Sequence, residues 1–354
     1  MIRWRDARVA TVVTANADVV ELVATTGEGD VPALAYPRLV GAPQVGDRVL
    51  LNVTALTLGL GTGGYALVVA LPDRLPVDAD EPGHVVKARY SPMQATVLAA
   101  DEQGSAHHSL LRDADDVGGM PVVVADLHSA LPAVLAGLRE RAPQARVVYL
   151  MSDGGALPLW FSRTVPPLRE AGWLTATVTV GQSFGGDLEA VTLHSGLLAA
   201  RLVLGADVVV VTQGPGNLGT GTRWGFSGVA TGEAINATAT VGGRPVAALR
   251  VSAVDDRPRH RGVSHHTLTA LGRVALLPAD VVVPVLDGQF GADVRAACAP
   301  LAARHRLVEV DVDGLHDRLS ETPVALTTMG RGLGDDPAYF LAAAAAGRHT
   351  ATLL

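Results

Sequence analysis

The rhythm of hydrophobic and polar positions changes near residue 121. Up to about residue 85, short runs rich in β-branched residues are separated by turns built from glycine and aspartate. These runs cover residues 9–13, 19–23, 49–53 and 65–71. Short strands at this spacing predict a small all-β domain over residues 1–85, an antiparallel barrel or sandwich. Residues 86–120 lack the pattern and are predicted to form a linker or extended segment.

From residue 121 onward, continuous valine-rich runs alternate with helical stretches rich in alanine and leucine. The runs cover residues 121–127, 146–151, 174–180, 207–212, 245–251, 280–285 and 306–310. Apolar strands separated by helices predict a parallel sheet that is covered on both faces. The predicted fold class is therefore α/β: a doubly wound, mostly parallel, Rossmann-like sheet over residues 121–354, preceded by the small β domain.

Polar or glycine-rich motifs follow five of these predicted strands at the point where each strand ends. The motifs are His128-Ser129, Ser152-Asp153-Gly154-Gly155, the segment 181–189, the segment 213–222 and the segment 255–267. Because the carboxyl ends of parallel strands share one edge of a sheet, the motifs are expected to converge there. The sequence therefore predicts one ligand site at that edge.

The segment after the strand 207–212 fits the pattern G-x-G-x-x-G with Gly214, Gly216 and Gly219. A dinucleotide site needs a helix directly after the glycines and an acidic residue about 20 residues further on. Here Thr220 and Thr222 delay the helix, so an NAD site is disfavoured. Glycine backbone and threonine hydroxyls can instead hold an anion, or form an ordinary tight loop. The predicted ligand-binding residues are His128, Ser129, Gly214, Gly216, Gly219, Thr220, Thr222 and Arg257.

Histidines and carboxylates at these strand ends predict a divalent metal. The candidate ligands are His128, Asp153, Asp255, His260, His265 and His266. Zn²⁺, Mn²⁺ or Fe²⁺ accept such a set of imidazoles and carboxylates. In the alternative interpretation, the histidines bond loop backbone, or bind a substrate carboxylate or phosphate together with neighbouring arginines.

Asp187 and Glu189 follow two glycines and are predicted to begin a helix. Acidic residues there either favour the helix dipole or serve as a general base in the crevice. The predicted catalytic residues are Asp187, Glu189 and His265. Ser183 lies in a G-x-S-x-G pattern, but a hydrolase triad lacks a well-placed acid between this serine and the later histidines.

Composition narrows the possible partners. The 354-residue chain has 28 basic and 35 acidic residues and a net charge of −7, which argues against nucleic-acid binding. Its one cysteine rules out an intrachain disulfide. No apolar run approaches the ~18 residues of a membrane span, so no membrane partner and a cytoplasmic location are predicted. A small anionic molecule is the expected partner, and homo-oligomerisation stays open.

Taken together, the motifs resemble those of an uncharacterised bacterial family, domain of unknown function 3866. They include Leu127-His128-Ser129, the segment 184–190, Gln213-Gly214-Pro215-Gly216 and the segment 259–267. The resemblance implies that the motifs belong together, and it implies no activity.

The residues themselves favour an enzyme that acts on a small anionic metabolite, phosphorylated or nucleotide-like, by metal-assisted hydrolysis or lyase chemistry. The alternative is a sensor or carrier that binds a metabolite in the same crevice without turnover. A structural scaffold is disfavoured, because a scaffold has no need of five polar motifs at strand ends.

Overall fold

The computed structural model divides into two compact units, Met1–Val97 and Leu98–Leu354. The division falls inside the segment that the sequence predicts as a linker. The residues described are 1–60, 63–78, 82–155 and 157–354. No helix within these ranges is long and apolar enough to cross a membrane.

The first unit contains a closed five-stranded barrel. Its elements are β1 (Trp4–Ala15), β2 (Val20–Thr26), β3 (Gly29–Ala35), α1 (Pro37–Val40), β4 (Arg48–Asn52), α2 (Thr54–Thr57) and β5 (Ala66–Ala70). The strand order is β1-β2-β3-β5-β4, and β4 closes the barrel by pairing with β1. A hairpin of β6 (Val85–Lys87) and β7 (Ala95–Val97) follows.

The second unit alternates strands and helices. Its first half comprises α3 (His108–Leu111), β8 (Pro121–Val124), α4 (Leu131–Arg139), β9 (Val147–Ser152), α5 (Val165–Glu170), β10 (Ala176–Val180), β11 (Leu188–Ala190), α6 (Leu193–Leu202) and β12 (Val208–Gln213). Its second half comprises α7 (Ala230–Thr240), β13 (Arg244–Ala248), β14 (Val251–Ser252), β15 (Gly262–Val263), α8 (His265–Thr269), β16 (Asp280–Val285), α9 (Gly288–Cys298), β17 (Arg306–Asp311), α10 (Leu315–Ser320), β18 (Thr327–Thr328), β19 (Arg331–Gly332) and α11 (Pro337–Ala351).

Eight of these strands form one parallel sheet in the order β11-β10-β9-β12-β8-β13-β16-β17. From β9 the chain adds strands outward to β11. It then returns to β12, beside β8, and continues through β13 to β17 on the other side. The direction of strand addition therefore reverses around β12, β8 and β13. In open parallel sheets, ligands bind outside the carboxyl ends of the strands at such a reversal.

Successive residues of the central strands enter two separate hydrophobic clusters, one on each face of the sheet. Val122 and Val124 belong to one cluster, and Val123 belongs to the other. On the second face, α4 and α11 approach very closely. A Cβ on Gly137 would lie 1.9 Å from the carbonyl oxygen of Ala344, so only glycine permits this contact. Both faces of the sheet are therefore covered, as continuous apolar strands require.

The structure corrects two secondary-structure predictions. The sequence prediction omitted β3, whose pairing with β5 is parallel, so the barrel is not purely antiparallel. The segment predicted to begin a helix at Asp187 instead forms β11, and the helix begins at Leu193. A capping box between Thr192 and Ser195 fixes that helix start, because each residue satisfies a backbone N–H of the other.

Candidate functional site

Polar side chains follow β8, β12 and β13, the three strands at which the sheet order reverses. Asp126 lies two residues beyond β8, Gln213 ends β12 and Arg250 lies two residues beyond β13. All three are buried. The Nε2 amide of Gln213 donates to the backbone carbonyl of Asp126 at 2.8 Å, which ties the first two strand ends together.

Three histidines lie beside this edge and form the histidine cluster: His260, His265 and His266. The short β14–β15 hairpin brings the turn at His260 back against the start of α8. Ser264 caps α8, because its hydroxyl accepts from the backbone N–H of His266 at 3.2 Å. The same hydroxyl lies 2.8 Å from Nδ1 of His260. One nitrogen from each of the three rings lies within 4.8 Å of those of the other two.

The ring nitrogens of the histidine cluster are only partly satisfied. Nε2 of His265 is buried, and it forms no hydrogen bond with any described residue. Nδ1 of His260 and Nδ1 of His266 contact side chains, whereas the Nε2 atoms of both bond to nothing within the described residues. Buried polar atoms are almost always paired, so the buried Nε2 of His265, which has no partner within the described residues, calls for an explanation.

Asp126 contacts both His266 of the histidine cluster and Arg250. Its Oδ2 lies 3.4 Å from Nδ1 of His266 and 3.1 Å from Nη1 of Arg250. Burial would raise the pKa of Asp126, but the hydrogen bond from His266 and the charge of Arg250 lower that pKa below its ordinary value. A carboxylate on Nδ1 fixes the ring so that Nε2 is the free nitrogen, as is usual for metal-bound histidines.

The loop after β12 closes over Asp126. Oδ1 of Asp126 accepts from the side-chain Nδ2 of Asn217 at 2.9 Å, and the hydroxyl of Ser227 donates to the side-chain Oδ1 of Asn217 at 2.8 Å. A Cβ on Gly228 would lie 1.8 Å from Oδ1 of Asp126, so this close approach needs glycine. Phe226 stacks on His266 with ring centroids 3.8 Å apart. Together these contacts hold the loop against the cluster.

Two of the three histidines are held neutral. Burial, followed by the charges of Arg250 and Arg257, lowers the pKa of His260 to about 3. Burial and neighbouring positive groups, including Arg259, also lower the pKa of His265. Neutral imidazole is the form that binds a metal.

The residues present fit a divalent metal. Tetrahedral zinc with Zn–N bonds of 2.0–2.1 Å places its ligand nitrogens roughly 3.3 Å apart, so the cluster needs a small contraction to bind it. The buried unpaired Nε2 of His265 and the carboxylate-supported His266 are the features expected of a site with three protein ligands and an open position. Within the described residues, no other group of three or more potential ligands meets this geometry.

His128 and Ser129, predicted from sequence as ligand residues, lie elsewhere. Nδ1 of His128 bonds the hydroxyl of Tyr149 and Nε2 bonds that of Ser162, both at 2.8 Å. Burial lowers the pKa of His128 to about 4. Ser129 bonds Thr328 and Tyr339. With both ring nitrogens occupied, His128 has no lone pair left for a metal.

Asp153, Asp255 and Arg257 are also engaged by protein groups. Asp153 accepts from the backbone N–H groups of Gly155 and Gln182. Asp255 accepts the Nε and Nη2 of Arg257, both at 2.9 Å, and is also paired with Arg331. The bonds from Arg257, together with the charge of Arg331, lower the pKa of Asp255 far below its ordinary range. These carboxylates therefore stabilise loops around the site.

Asp187 and Glu189 lie at the far edge of the sheet. Asp187 pairs with Arg169 and accepts from Thr177, while Glu189 accepts from the hydroxyl of Thr179. Four strand spacings separate β11 from β8, roughly 19 Å. The structure does not bring these carboxylates to the histidine cluster, because the chain forms an edge strand where the sequence predicted a helix start.

The glycine-rich loop lies beside the site but leads into no helix directly. Gly214, Gly216 and Gly219 are followed by a tight turn in which the hydroxyls of Thr220 and Thr222 bond each other at 3.1 Å. The next long helix, α7, begins only at Ala230. This geometry departs from that of a dinucleotide fingerprint, in which the helix follows at once.

Sequence reasoning missed Asp126, Arg250, Asn217 and Phe226. Asp126 and Arg250 lie just beyond the observed strands β8 and β13, but the sequence prediction placed both inside longer strands, 121–127 and 245–251. Each follows an apolar run as a lone charged residue, without the clustered pattern that drew attention to the histidines. Asn217 and Phe226 give no such signal, since their role depends on how the loop folds.

Comparison with known proteins identifies the family. The family model described as "Protein of unknown function (DUF3866)" matches residues 32–347. The chain belongs to this family. The match includes β8, β12, β13 and all three histidines of the cluster. No match was found among the curated proteins.

Proposed function

We propose that this DUF3866 protein is a metal-dependent enzyme that hydrolyses a small anionic metabolite, or cleaves it by lyase chemistry. The observation that carries the proposal is the histidine cluster: three imidazoles whose Nε2 atoms have no partner in the described parts of the chain, one of these atoms being buried. A divalent ion of the zinc, manganese or iron type suits these ligands. Such an ion, when bound, lowers the pKa of a coordinated water and supplies a hydroxide nucleophile near neutral pH.

The surrounding residues would orient this chemistry. Asp126 holds the ring of His266, and Ser264 holds that of His260. Phe226 covers one face of His266 and limits the access of solvent to it. The proposal includes the predicted Rossmann-like architecture, in which the ligand binds where the strand order of the sheet reverses. The histidine cluster lies beside that reversal.

Positive charge around the cluster supports an anionic substrate. Arg250, Arg257 and Arg259 lie close enough to depress the pKa of a cluster histidine, while Asp126 and Asp255 act in the opposite direction. Because these arginines outnumber the two carboxylates, an anion that approaches the cluster would gain from the net positive charge. A phosphorylated or nucleotide-like metabolite, or a carboxylate, meets this requirement.

The test is metal content and turnover of the untagged protein beside its His265→Ala variant. We expect near-stoichiometric transition metal in the wild type, measured by elemental analysis, and metal-dependent hydrolysis in a screen of phosphoesters and amides. His265→Ala should lose the metal and the activity. Nε2 of His265 has no partner within the described residues, so the variant loses mainly the packing of its ring against Phe226 and the other two histidines. Without metal, its free energy of unfolding should fall by no more than about 1 kcal/mol.

Asp255→Asn is a matched control, since Asp255 lies in the same segment but is saturated by arginines. It should retain the metal. A wild-type protein that takes up no Zn²⁺, Mn²⁺ or Fe²⁺ would overturn the proposal. Tight metabolite binding without turnover in that protein would favour the sensor or carrier instead.

A further inference from the structure

Arg250 is a buried cation, and the three N–H groups on its Nε and Nη2 have no partner among the described residues. Its side chain is only 7% exposed. Nη1 donates to Asp126 at 3.1 Å and lies 3.4 Å from Nδ1 of His266. Nε and Nη2 bond no described residue, yet neither atom is sealed from solvent. A guanidinium that is buried in this way costs free energy unless its donors find partners.

The unbonded side of the Arg250 guanidinium is the edge that donates two hydrogen bonds to a single oxyanion. Nε and Nη2 present two parallel N–H groups that match the two oxygens of a carboxylate or phosphate. Within the described residues, five other arginines place this edge on a carboxylate of the protein. They are Arg48 with Asp6, Arg146 with Asp207, Arg257 with Asp255, Arg306 with Asp280, and Arg348 with Glu140.

Arg348 makes the comparison sharp, because its side chain is also 7% exposed. Its Nε donates to Glu140 at 2.7 Å and its Nη2 at 2.8 Å. At equal burial, the protein completes this edge for Arg348 and leaves it open for Arg250. Asp126 meanwhile holds Arg250 by Nη1, so the guanidinium is fixed with its open edge in place.

We infer that Nε and Nη2 of Arg250 bind an oxyanion of the substrate, a carboxylate or a phosphoryl group, beside the histidine cluster. The inference rests on the proposed function in taking that anion to belong to the substrate. Asp126 contacts both Arg250 and His266, so one carboxylate positions the anion receptor and the histidine next to it. The substrate would therefore carry its anionic group close to the bond that is cleaved.

The experiment measures binding of inorganic phosphate and, separately, of acetate by equilibrium dialysis with radiolabelled anions. Wild type, Arg250→Lys and the matched control Arg348→Lys are compared, each before and after loading with Zn²⁺. Lysine keeps the charge and removes the paired donors. We expect at least one anion to bind in a 1:1 ratio, about ten- to a hundredfold more weakly to Arg250→Lys and unchanged in Arg348→Lys.

The two arms identify the anion, since preference for phosphate indicates a phosphoryl group and preference for acetate a carboxylate. Equal binding by wild type and Arg250→Lys, or no binding of either anion, would overturn the inference. Should Arg250→Lys not fold, the neutral pair Asp126→Asn with Arg250→Gln replaces it, with loss of anion binding again expected. Metal content is measured in the same samples. If anion binding depends on Arg250 but the protein takes up no metal, only the proposed function is contradicted. If the protein takes up metal but Arg250→Lys binds the anion as wild type does, only this inference is contradicted.

Discussion

Two histidine-containing groups lie at the carboxyl edge of the same sheet and differ in whether their nitrogens have partners. In the His128 network, His128, Tyr149, Ser162 and Thr212 form one continuous chain of hydrogen bonds. In the histidine cluster, the Nε2 atoms of all three rings lack partners within the described residues. The first group is complete without a ligand, whereas the second leaves the buried Nε2 of His265 without a partner among the described residues.

The direction of the hydrogen bonds in the His128 network follows from its ends. Thr212 donates to the carbonyl of Gln213, so its oxygen accepts from Tyr149. Tyr149 then accepts from Nδ1–H of His128, and Nε2 accepts from Ser162. Every proton has an acceptor, which identifies a structural network. Local sequence does not distinguish the two groups, because histidines follow strand ends in both.

The largest effect should come from breaking the support of the histidine cluster. Asp126→Ala leaves Arg250 buried without its carboxylate, and such a change costs about 3–5 kcal/mol. Urea unfolding should show that loss in metal-free protein. A loss below about 1 kcal/mol would mean that Asp126 and Arg250 are not coupled as their 3.1 Å contact indicates.

A smaller loss is expected from the complete network. His128→Leu removes one hydrogen-bond partner from each of the Tyr149 and Ser162 hydroxyls and should cost about 2–4 kcal/mol of stability. The variant should retain its metal, in contrast to a variant of the cluster. Urea unfolding and elemental analysis of one preparation measure both quantities. If His128→Leu lost the metal while its stability was unchanged, the His128 network would be the metal site and this comparison of the two groups would be wrong.

The pH dependence of stability sharpens the comparison further. His128 has a pKa of about 4 in the folded protein and about 6.5 when unfolded. Between these values the unfolded state binds one more proton, so the free energy of unfolding falls as pH falls. The slope from this residue is at most about 1.4 kcal/mol per pH unit and vanishes above the unfolded pKa. His128→Leu should reduce the measured slope by that amount, and an unchanged slope would contradict a neutral buried His128.

Much of the fold follows from the sequence. Valine-rich runs located seven of the eight parallel strands, because continuous apolar strands have few other stable environments. The three-residue strand β11 was missed, since Leu188–Ala190 is too short to show a pattern. Because β11 is an edge strand, Asp187 and Glu189 lie at the sheet edge, away from the histidine cluster.

The candidate site was only partly predictable. His260, His265 and His266 come from one short segment, so their proximity follows from the sequence. Asp126 and Arg250 are separated by 124 positions in the chain, and their contact depends on β8 pairing with β13. Whether a nitrogen is satisfied likewise depends on tertiary neighbours, as Tyr149 and Ser162 show for His128. The predicted strand ends therefore identify candidate site residues. Only the hydrogen-bond partners in the folded protein show which candidates are available to a ligand.

The most direct measurement is a crystal of the protein loaded with Zn²⁺, with diffraction data collected on both sides of the zinc absorption edge. We expect one strong anomalous peak, from a zinc ion bound by nitrogens of His260, His265 and His266, with Asp126 still in contact with Nδ1 of His266. An anomalous peak at Asp153, at Asp255 or beside His128, or no peak in fully loaded crystals, would contradict it.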